Sequence, residues 1–283
     1  MKNIQYKKIL SNGVGIPCVG YGTWKLANND TTVNLIKTAI DCGYRHIDTA
    51  AGYDNHVAVG KGVRESGLKR DELFVTSKLN NPNHGYDKTM KEFDKNMTEL
   101  DIDYIDLHLI HWPNPIMFRD NWKEANAGSW KAFEELYNKG LIKAIGLSNF
   151  LEHHIDALME TATITPMVNQ LELHPLYPQK DIVKYCRDNN ILVEAWSPMV
   201  AGDVFDNPLL IEIAKKYNKS VAQLLLRWSL DHNFIPLPKA SNKSRMIENA
   251  DIFDFTIDKD DIEKMTVLEA LGRRGAHPDT ATF

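Results

Sequence analysis

Asp48, Tyr53, Lys78 and His111 are residues of the types that acid–base catalysis uses. A phenol beside an ammonium group and an imidazole can have its pKa lowered from about 10 toward neutrality. Asp48 would pair with Lys78, hold it in place and keep it charged. Tyr53 would then act as a general acid that protonates a carbonyl oxygen, and His111 would orient that carbonyl by hydrogen bonding.

Each of these four residues also has an ordinary structural explanation when it is taken alone. Asp48 fits a turn or a helix cap, and Tyr53 fits an aromatic residue at a rim. Lys78 fits a solvated charge at the end of a strand, and His111 fits a histidine that is satisfied within the fold. The four residues therefore indicate chemistry only if the fold brings them together.

The elements that would position them are short β-rich runs, each separated from the next by a helical pattern. The runs span residues 19–24, 45–49, 73–78, 104–111, 144–148, 167–173, 191–197 and 234–237. Eight strand–helix units in about 260 residues favour a closed (β/α)8 TIM barrel in a single domain over residues 1–283. An open doubly wound sheet is the alternative. The turn signal Asn12-Gly13 predicts an N-terminal β-hairpin that closes the barrel bottom.

Polar or amphipathic residues recur near the carboxyl ends of these runs, 22 to 43 residues apart. They are Asp48, Lys78, His111, Ser148 with Asn149, Gln170, Trp196 and Lys239. In a (β/α)8 barrel the chemistry is located at that end of the strands, so the spacing favours one ring-shaped site.

A short basic stretch, residues 239–245, follows the last run. It contains Lys239, Lys243 and Arg245 with Ser241, Asn242 and Ser244 between them. Basic and hydroxyl groups at the start of a helix favour phosphate binding, although a solvated helix start has the same composition. Trp196 offers a flat face on which an aromatic ring could stack, or it is a core or rim aromatic.

Composition excludes several functional classes. The 283 residues carry 33 Lys and Arg against 38 Asp and Glu, a net charge of −5, which argues against nucleic-acid or membrane-surface partners. The three cysteines at positions 18, 42 and 186 fit reduced thiols in a cytoplasmic protein. The first ten residues lack the apolar segment of a signal peptide, and no run reaches the roughly 18 apolar residues of a membrane span.

Several motifs of other enzyme classes are missing from the sequence. It has no G-x-G-x-x-G for a Rossmann cofactor site and no G-x-S-x-G for a serine hydrolase. A metal-dependent barrel hydrolase is a minor alternative, because His108 and His111 are three residues apart and would face opposite sides of a strand. His153 and His154 are interpreted as solvated residues at a helix start, so no metal site is predicted.

The ordered set of segments resembles the aldo-keto reductase family over nearly the whole chain. The segments are residues 20–24 (GYGTW), 43–50 (GYRHIDTA), Tyr53 with Asn55, 77–79 (SKL), 103–113 (DYIDLHLIHWP), 145–150 (IGLSNF), 169–170 (NQ) and 239–249 (KASNKSRMIEN). The resemblance is strongest to a bacterial and protist branch that includes 2,5-diketo-gluconate and glyoxal/methylglyoxal reductases, and the tail at residues 274–279 also suggests that branch.

The resemblance implies an NADPH-dependent oxidoreductase that reduces aldehydes and ketones to alcohols. It implies that Tyr53 is the proton donor, tuned by Asp48 and Lys78, and that His111 orients the substrate. The implied cofactor contacts are Gly22, Thr23, Asp48, Ser148, Asn149, Gln170, Trp196, Ser197, Pro198, Met199, Lys239, Ser241, Asn242, Arg245, Glu248 and Asn249. The implied substrate contacts are Trp24, Tyr53, His111 and Trp112.

Departures from the family pattern qualify those expectations. Ala240 stands where many members have a serine that binds the 2′-phosphate, so NADH is expected as a weaker alternative cofactor. Asn80 replaces a frequent tryptophan and should leave a more open, polar pocket for a small carbonyl, dicarbonyl or keto sugar. Family habit suggests a monomer. The alternative in another functional class is a regulatory or structural barrel that binds the cofactor with little turnover.

Overall fold

A computed structural model describes residues 3–283 and contains ten strands. The strands are β1 (Lys7–Ile9), β2 (Gly15–Pro17), β3 (Tyr21–Gly22), β4 (His46–Asp48), β5 (Phe74–Leu79), β6 (Ile105–Ile110), β7 (Ile142–Ser148), β8 (Val168–Glu172), β9 (Leu192–Trp196) and β10 (Ile235–Pro236). From β3 to β10, each strand pairs in parallel with the next strand of the chain.

Backbone hydrogen bonds join the first and last strands of this parallel sheet. The N–H groups of Gly20 and Gly22 donate to the carbonyl oxygens of Pro236 and Pro238, both at 3.0 Å. A side chain at position 20 would collide with Leu237, so glycine is needed for this close approach. The sheet therefore closes into a barrel, which confirms the predicted (β/α)8 fold and excludes the open doubly wound sheet.

The N-terminal hairpin pairs β1 with β2 in antiparallel fashion. Its turn contains Gly13, whose φ is +88°, and the Asn12 side chain accepts a hydrogen bond from the Val14 N–H. The Lys8 ammonium group reaches the carbonyl oxygens of Asn233 and Phe234, just before β10 begins. The hairpin thus covers the end of the barrel opposite the carboxyl ends of the strands, as predicted.

Ten α-helices accompany the strands in the described part of the chain. They are α1 (Asp30–Asp41), α2 (His56–Arg64), α3 (Tyr86–Leu100), α4 (Trp122–Asn138), α5 (Glu152–Met159), α6 (Lys180–Asp188), α7 (Pro208–Lys216), α8 (Val221–Asp231), α9 (Lys243–Ala250) and α10 (Lys259–Met265).

Helix α1 shows how the sequence determines these helices. Asn29 caps its start by accepting a hydrogen bond from the Thr32 N–H, and the chain turns away at Gly43, whose φ is +100°. Val33, Ile36 and Ile40 recur at helical spacing and are buried against the barrel. None of the helices in residues 3–283 is long and apolar enough to cross a membrane.

Candidate active site

The carboxyl ends of the parallel strands bring the predicted polar residues to one end of the barrel. Asp48, Ser148 and Trp196 are the last residues of β4, β7 and β9. Lys78 is the second-last residue of β5, and His111 directly follows β6. Gln170 is in the middle of β8, and Lys239 comes three residues after β10.

Asp48, Lys78 and Tyr53 form one hydrogen-bonded group. The Lys78 ammonium nitrogen is 2.8 Å from both carboxylate oxygens of Asp48, 3.0 Å from the Thr49 carbonyl and 3.3 Å from the Tyr53 hydroxyl. Lys78 is fully buried and Asp48 nearly so. Tyr53 is on a single 3-10 turn directly after β4, which places its ring beside the ammonium group.

The electrostatic environment of this group differs in one respect from the expectation. Burial lowers the pKa of Lys78, but Asp48 and Tyr53 outweigh it and hold that pKa above its usual value, so the ammonium stays charged. The removal of water around Tyr53 raises the pKa of its phenol, and Lys78 opposes this only in part. The expected lowering of the Tyr53 pKa toward neutrality is therefore wrong, and the phenol is protonated at neutral pH.

His111 faces the Tyr53 ring, with the two ring centroids 5.7 Å apart in an edge-on arrangement. Burial and the nearby Lys78 charge hold its pKa well below the usual value, so the imidazole is neutral. His108 points the other way, into the helix layer, where its ring centroid is 4.6 Å from that of Phe133. The predicted opposite orientation of the two histidines is confirmed.

A second set of hydrogen bonds connects β7, β8 and β9. The Ser148 hydroxyl donates to the Gln170 carbonyl at 3.0 Å, and the Trp196 indole N–H donates to the Asn149 side-chain oxygen at 2.8 Å. The Gln170 amide nitrogen donates to Asp48 and to Glu194, both at 2.9 Å. Within residues 3–283 nothing donates to the Gln170 side-chain oxygen, so that acceptor is free for a ligand.

Glu194, inside the barrel, was missed by the sequence analysis. It is fully buried, and burial together with nearby Asp48 raises its pKa to about 8. Its second carboxyl oxygen is 3.8 Å from His46, whose pKa burial lowers to about 3. The signal in the sequence was a glutamate in the middle of the apolar strand β9, flanked by Val193 and Ala195.

Residues at the ends of β3 and β9 surround this centre. The Thr23 hydroxyl donates to the Asp48 carbonyl at 2.9 Å, which places Gly22 and Thr23 beside the buried pair. Ser197 has a φ of +52° and begins the loop that continues through Pro198 and Met199.

Two of the predicted substrate contacts are tryptophans of differing exposure. Trp24 is 58% exposed, and the Lys25 ammonium group lies 4.3 Å from the centroid of its ring. Trp112 is partly buried and packs edge-on against Phe283, with 4.9 Å between the ring centroids.

The basic stretch is exposed to solvent and leads into α9. Asn242 caps this helix, because its side-chain oxygen accepts from the Arg245 N–H at 2.9 Å and from Ser244 at 2.8 Å. Lys239, Lys243 and Arg245 make no salt bridge with any described acidic residue. Three cations without counter-ions at a helix start make a favourable site for a phosphate.

The residues on either side of this cap differ in burial. Burial and the nearby Lys25 lower the pKa of Lys239. Ser241 is exposed and Glu248 is partly buried, whereas Asn249 is buried. Ala240 is buried as well, and its carbonyl accepts the Tyr21 hydroxyl proton at 2.6 Å.

Residues 18–270 match the family model of the aldo/keto reductase family. The chain belongs to this family. It is accordingly an oxidoreductase that acts on carbonyl or alcohol groups, and the non-catalytic alternative is set aside. The predicted family resemblance is confirmed.

Individual relatives agree with this assignment over nearly the full length. The chain is 46% identical to the glyoxal reductase of Bacillus subtilis (strain 168), over 97% of this chain and 96% of the relative. It is similar to MGS-M4, an aldo-keto reductase from a Medee basin deep-sea metagenome, with a TM-score of 0.92, 36% identity and coverage of 98% and 100%. A Gox0644 variant in complex with NADPH matches with a TM-score of 0.90, 35% identity and 99% coverage of each chain.

The C-terminal tail of this aldo/keto reductase crosses the mouth of the barrel. Arg119 donates to the carbonyl oxygens of Asp279 and Ala281, and the Ile116 N–H donates to the Phe283 carbonyl at 3.1 Å. None of the residues predicted for the site lies in this tail. These bonds join residues more than 150 positions apart, which no local pattern reveals.

His153 and His154 both approach the carboxylate of Asp279 in this tail, at 3.1 and 2.9 Å. His153 is exposed, but His154 is fully buried, so its interpretation as a solvated residue is wrong. The Leu151 N–H donates to Nδ1 of His154 at 3.1 Å, which leaves the proton on Nε2, facing Asp279. A protonated Nε2 has no free lone pair with which to bind a metal ion.

Proposed function

We propose that this protein is an NADPH-dependent reductase that converts aldehydes and ketones to alcohols, with Tyr53 as the proton donor. The observation that carries the proposal is the contact of the Tyr53 hydroxyl with the buried Asp48–Lys78 pair, beside His111. The bound cofactor would supply a hydride to the carbonyl carbon.

The proton step follows from the surroundings of the phenol. No described residue accepts the Tyr53 hydroxyl proton, so that proton is available to a carbonyl oxygen as it becomes an alkoxide. The ammonium of Lys78 stabilises the resulting phenolate, and Asp48 holds the ammonium in position. The neutral His111 orients the carbonyl, and Trp24 and Trp112 flank it.

The nicotinamide end of the cofactor fits the polar groups around β7 to β9. Ser148, Asn149 and the free side-chain oxygen of Gln170 would hold the carboxamide. Trp196 would stack on the ring, since its indole is fixed by Asn149 and is only partly buried. Gly22, Thr23 and Asp48 would line the opposite side.

The phosphate end fits the loop after β9 and the basic stretch. Ser197, Pro198 and Met199 would lie over the pyrophosphate. Lys239, Ser241, Asn242 and Arg245 would bind the 2′-phosphate and ribose, and Glu248 and Asn249 the adenine. The side-chain oxygen of Asn242 already caps α9, so only its amide nitrogen remains for the cofactor. With three unpaired cations nearby, NADPH is favoured over NADH.

The proposed substrates are small carbonyls, dicarbonyls or keto sugars. The similarity to a glyoxal reductase supports this range, and Asn80 near Gly52 provides a polar side chain at the mouth. We further propose that residues 1–283 form one domain that acts as a cytoplasmic monomer.

The test is an absorbance assay at the nicotinamide band, with methylglyoxal and NADPH, comparing wild type with Tyr53→Phe. Loss of the general acid should lower kcat about 10²- to 10⁴-fold while the Kd for NADPH stays nearly unchanged. Tyr6→Phe, at an exposed position on the hairpin side, is the matched control and should keep full activity. Near-normal turnover by Tyr53→Phe would overturn the assignment of the proton donor.

A further inference from the structure

The tail is fastened to the barrel by a buried carboxylate that the proposed reaction does not use. Glu172, the last residue of β8, accepts the backbone N–H of Arg274 at 2.7 Å and that of Gly275 at 2.9 Å. Its carboxylate is also 3.0 Å from the Nε2 atom of His174. Burial raises the pKa of Glu172, but His174 and the two N–H groups outweigh it and bring that pKa below its usual value, so the group is ionised.

This fastening places the backbone of Gly275 against the indole of Trp196. A Cβ atom at position 275 would overlap the far edge of the six-membered ring of Trp196 and lie 2.9 Å from a carboxylate oxygen of Glu172. The opposite edge of the indole is fixed by its N–H bond to Asn149. The ring is therefore held from both edges, and only a residue without a side chain fits between it and Glu172.

We propose that Glu172 and Gly275 are positioning residues that fix the plane of the Trp196 indole, and that the tail thereby sets the surface on which a nicotinamide ring stacks. The inference rests on the proposed function, because it needs NADPH to bind beside Trp196. Stacking depends on the position of the ring plane within a fraction of an ångström, so displacing the indole should weaken cofactor binding before it affects the proton donor.

The experiment is a double-mutant cycle with Gly275→Ala and Trp196→Phe, read as the Kd for NADPH by fluorescence and as kcat and KM with methylglyoxal. In the wild-type background, Gly275→Ala should raise the Kd for NADPH about tenfold, with a smaller effect on kcat at saturating cofactor. In the Trp196→Phe background the far ring edge is gone, so the same change should raise the Kd less than about twofold.

Gly140→Ala is the control for backbone strain, since Gly140 has a positive φ, +74°, and contacts no part of the tail. It tests whether backbone strain alone weakens binding, and it should leave the Kd for NADPH unchanged. An equal effect of Gly275→Ala in both Trp196 backgrounds would overturn the inference and reduce Gly275 to a purely structural role. Wild-type protein that binds no NADPH would instead refute the proposed function.

Glu172→Gln tests the fastening itself. In this variant one carboxylate oxygen becomes an amide NH2 group, which cannot accept a hydrogen bond from the N–H of Arg274 or Gly275. The tail should therefore detach from β8 at these residues. Amide hydrogen exchange at Arg274 and Gly275 should quicken at least tenfold, and the Kd for NADPH should rise in the same direction as with Gly275→Ala. Unchanged exchange at both amides would contradict the proposed role of Glu172.

Discussion

The charged groups of the site lie in two different environments, one buried and paired, the other exposed and unpaired. Asp48, Lys78, Gln170 and Glu194 form a buried hydrogen-bonded network that reaches the hydroxyl of the partly buried Tyr53. The cations of the basic stretch are exposed and have no acidic partner among the described residues. In the proposed function the buried network moves a proton, and the basic stretch binds a phosphate.

The two environments suit different chemical roles. A charge that is already paired in a water-poor place keeps a fixed position and strengthens the field on its neighbour, which suits the control of a proton. Such a pair is costly to break, because the remaining charge stays buried without a partner. An exposed, unpaired cation contributes little to folding but keeps its full capacity to bind a phosphate.

The largest effect is expected from Lys78→Met in the buried network. It removes the charge that stabilises the Tyr53 phenolate, so kcat should fall on the order of 10²-fold or more. It also leaves Asp48 buried without its ion pair, which should lower the free energy of unfolding by about 3 to 5 kcal/mol. Steady-state kinetics and denaturant unfolding measure the two losses.

The double variant Asp48→Asn with Lys78→Met separates these two effects. Removing both charges should restore much of the lost stability while the activity remains low, since the unpaired carboxylate is gone but the ammonium is not replaced. Recovery of activity in the double variant would show that Lys78 acts only through folding.

A pH-dependent effect on stability is expected from Glu194, whose pKa is raised to about 8. Below that pH the folded protein keeps a proton on Glu194 that the unfolded chain has lost, so unfolding releases a proton and stability falls as pH rises toward 8. The slope is at most about 1.4 kcal/mol per pH unit. Lys78 also faces this group, and its raised pKa keeps its ammonium charged across the window.

Glu194→Gln should remove this slope between pH 6.5 and 8, a window in which His46 is already neutral. The measurement is the free energy of unfolding of both proteins at several pH values across the window. Parallel curves for wild type and variant would mean that Glu194 does not take up a proton in the fold.

The smallest effect is expected from a substitution in the basic stretch. Arg245→Gln should weaken NADPH binding about tenfold, the loss of one charge-assisted hydrogen bond, and leave NADH binding nearly unchanged. The unfolding free energy should hardly change. Lys184→Gln, an exposed change on α6, is the control.

Salt gives a second check on the same stretch. Because these cations are exposed, added salt should reduce the preference of the wild type for NADPH over NADH, and less so in Arg245→Gln. An equal loss of NADPH and NADH binding in Arg245→Gln would contradict a role in recognising the 2′-phosphate.

Local patterns predicted much of the architecture. The alternation of β-rich runs with helical patterns depends on side chains only a few positions apart, so the strands near Asp48, Lys78 and His111 were located correctly, with ends shifted by one or two residues. The rule that parallel strands end at one face then placed those residues together. By contrast, the direction of the Tyr53 pKa shift was wrong, because the number of atoms that exclude water from a phenol depends on the packed structure.

Residue type and spacing along the chain were enough to predict the strand–helix order, the hairpin turn at Asn12-Gly13 and the family. Two sets of contacts appear only in the folded barrel: Gln170 bridges Asp48 and Glu194, and Glu172 holds Gly275 beside Trp196. Those contacts join residues 24 to 122 positions apart. Their strength depends on distance, direction and the exclusion of water, and these are properties of the closed barrel and its tail that no short segment contains.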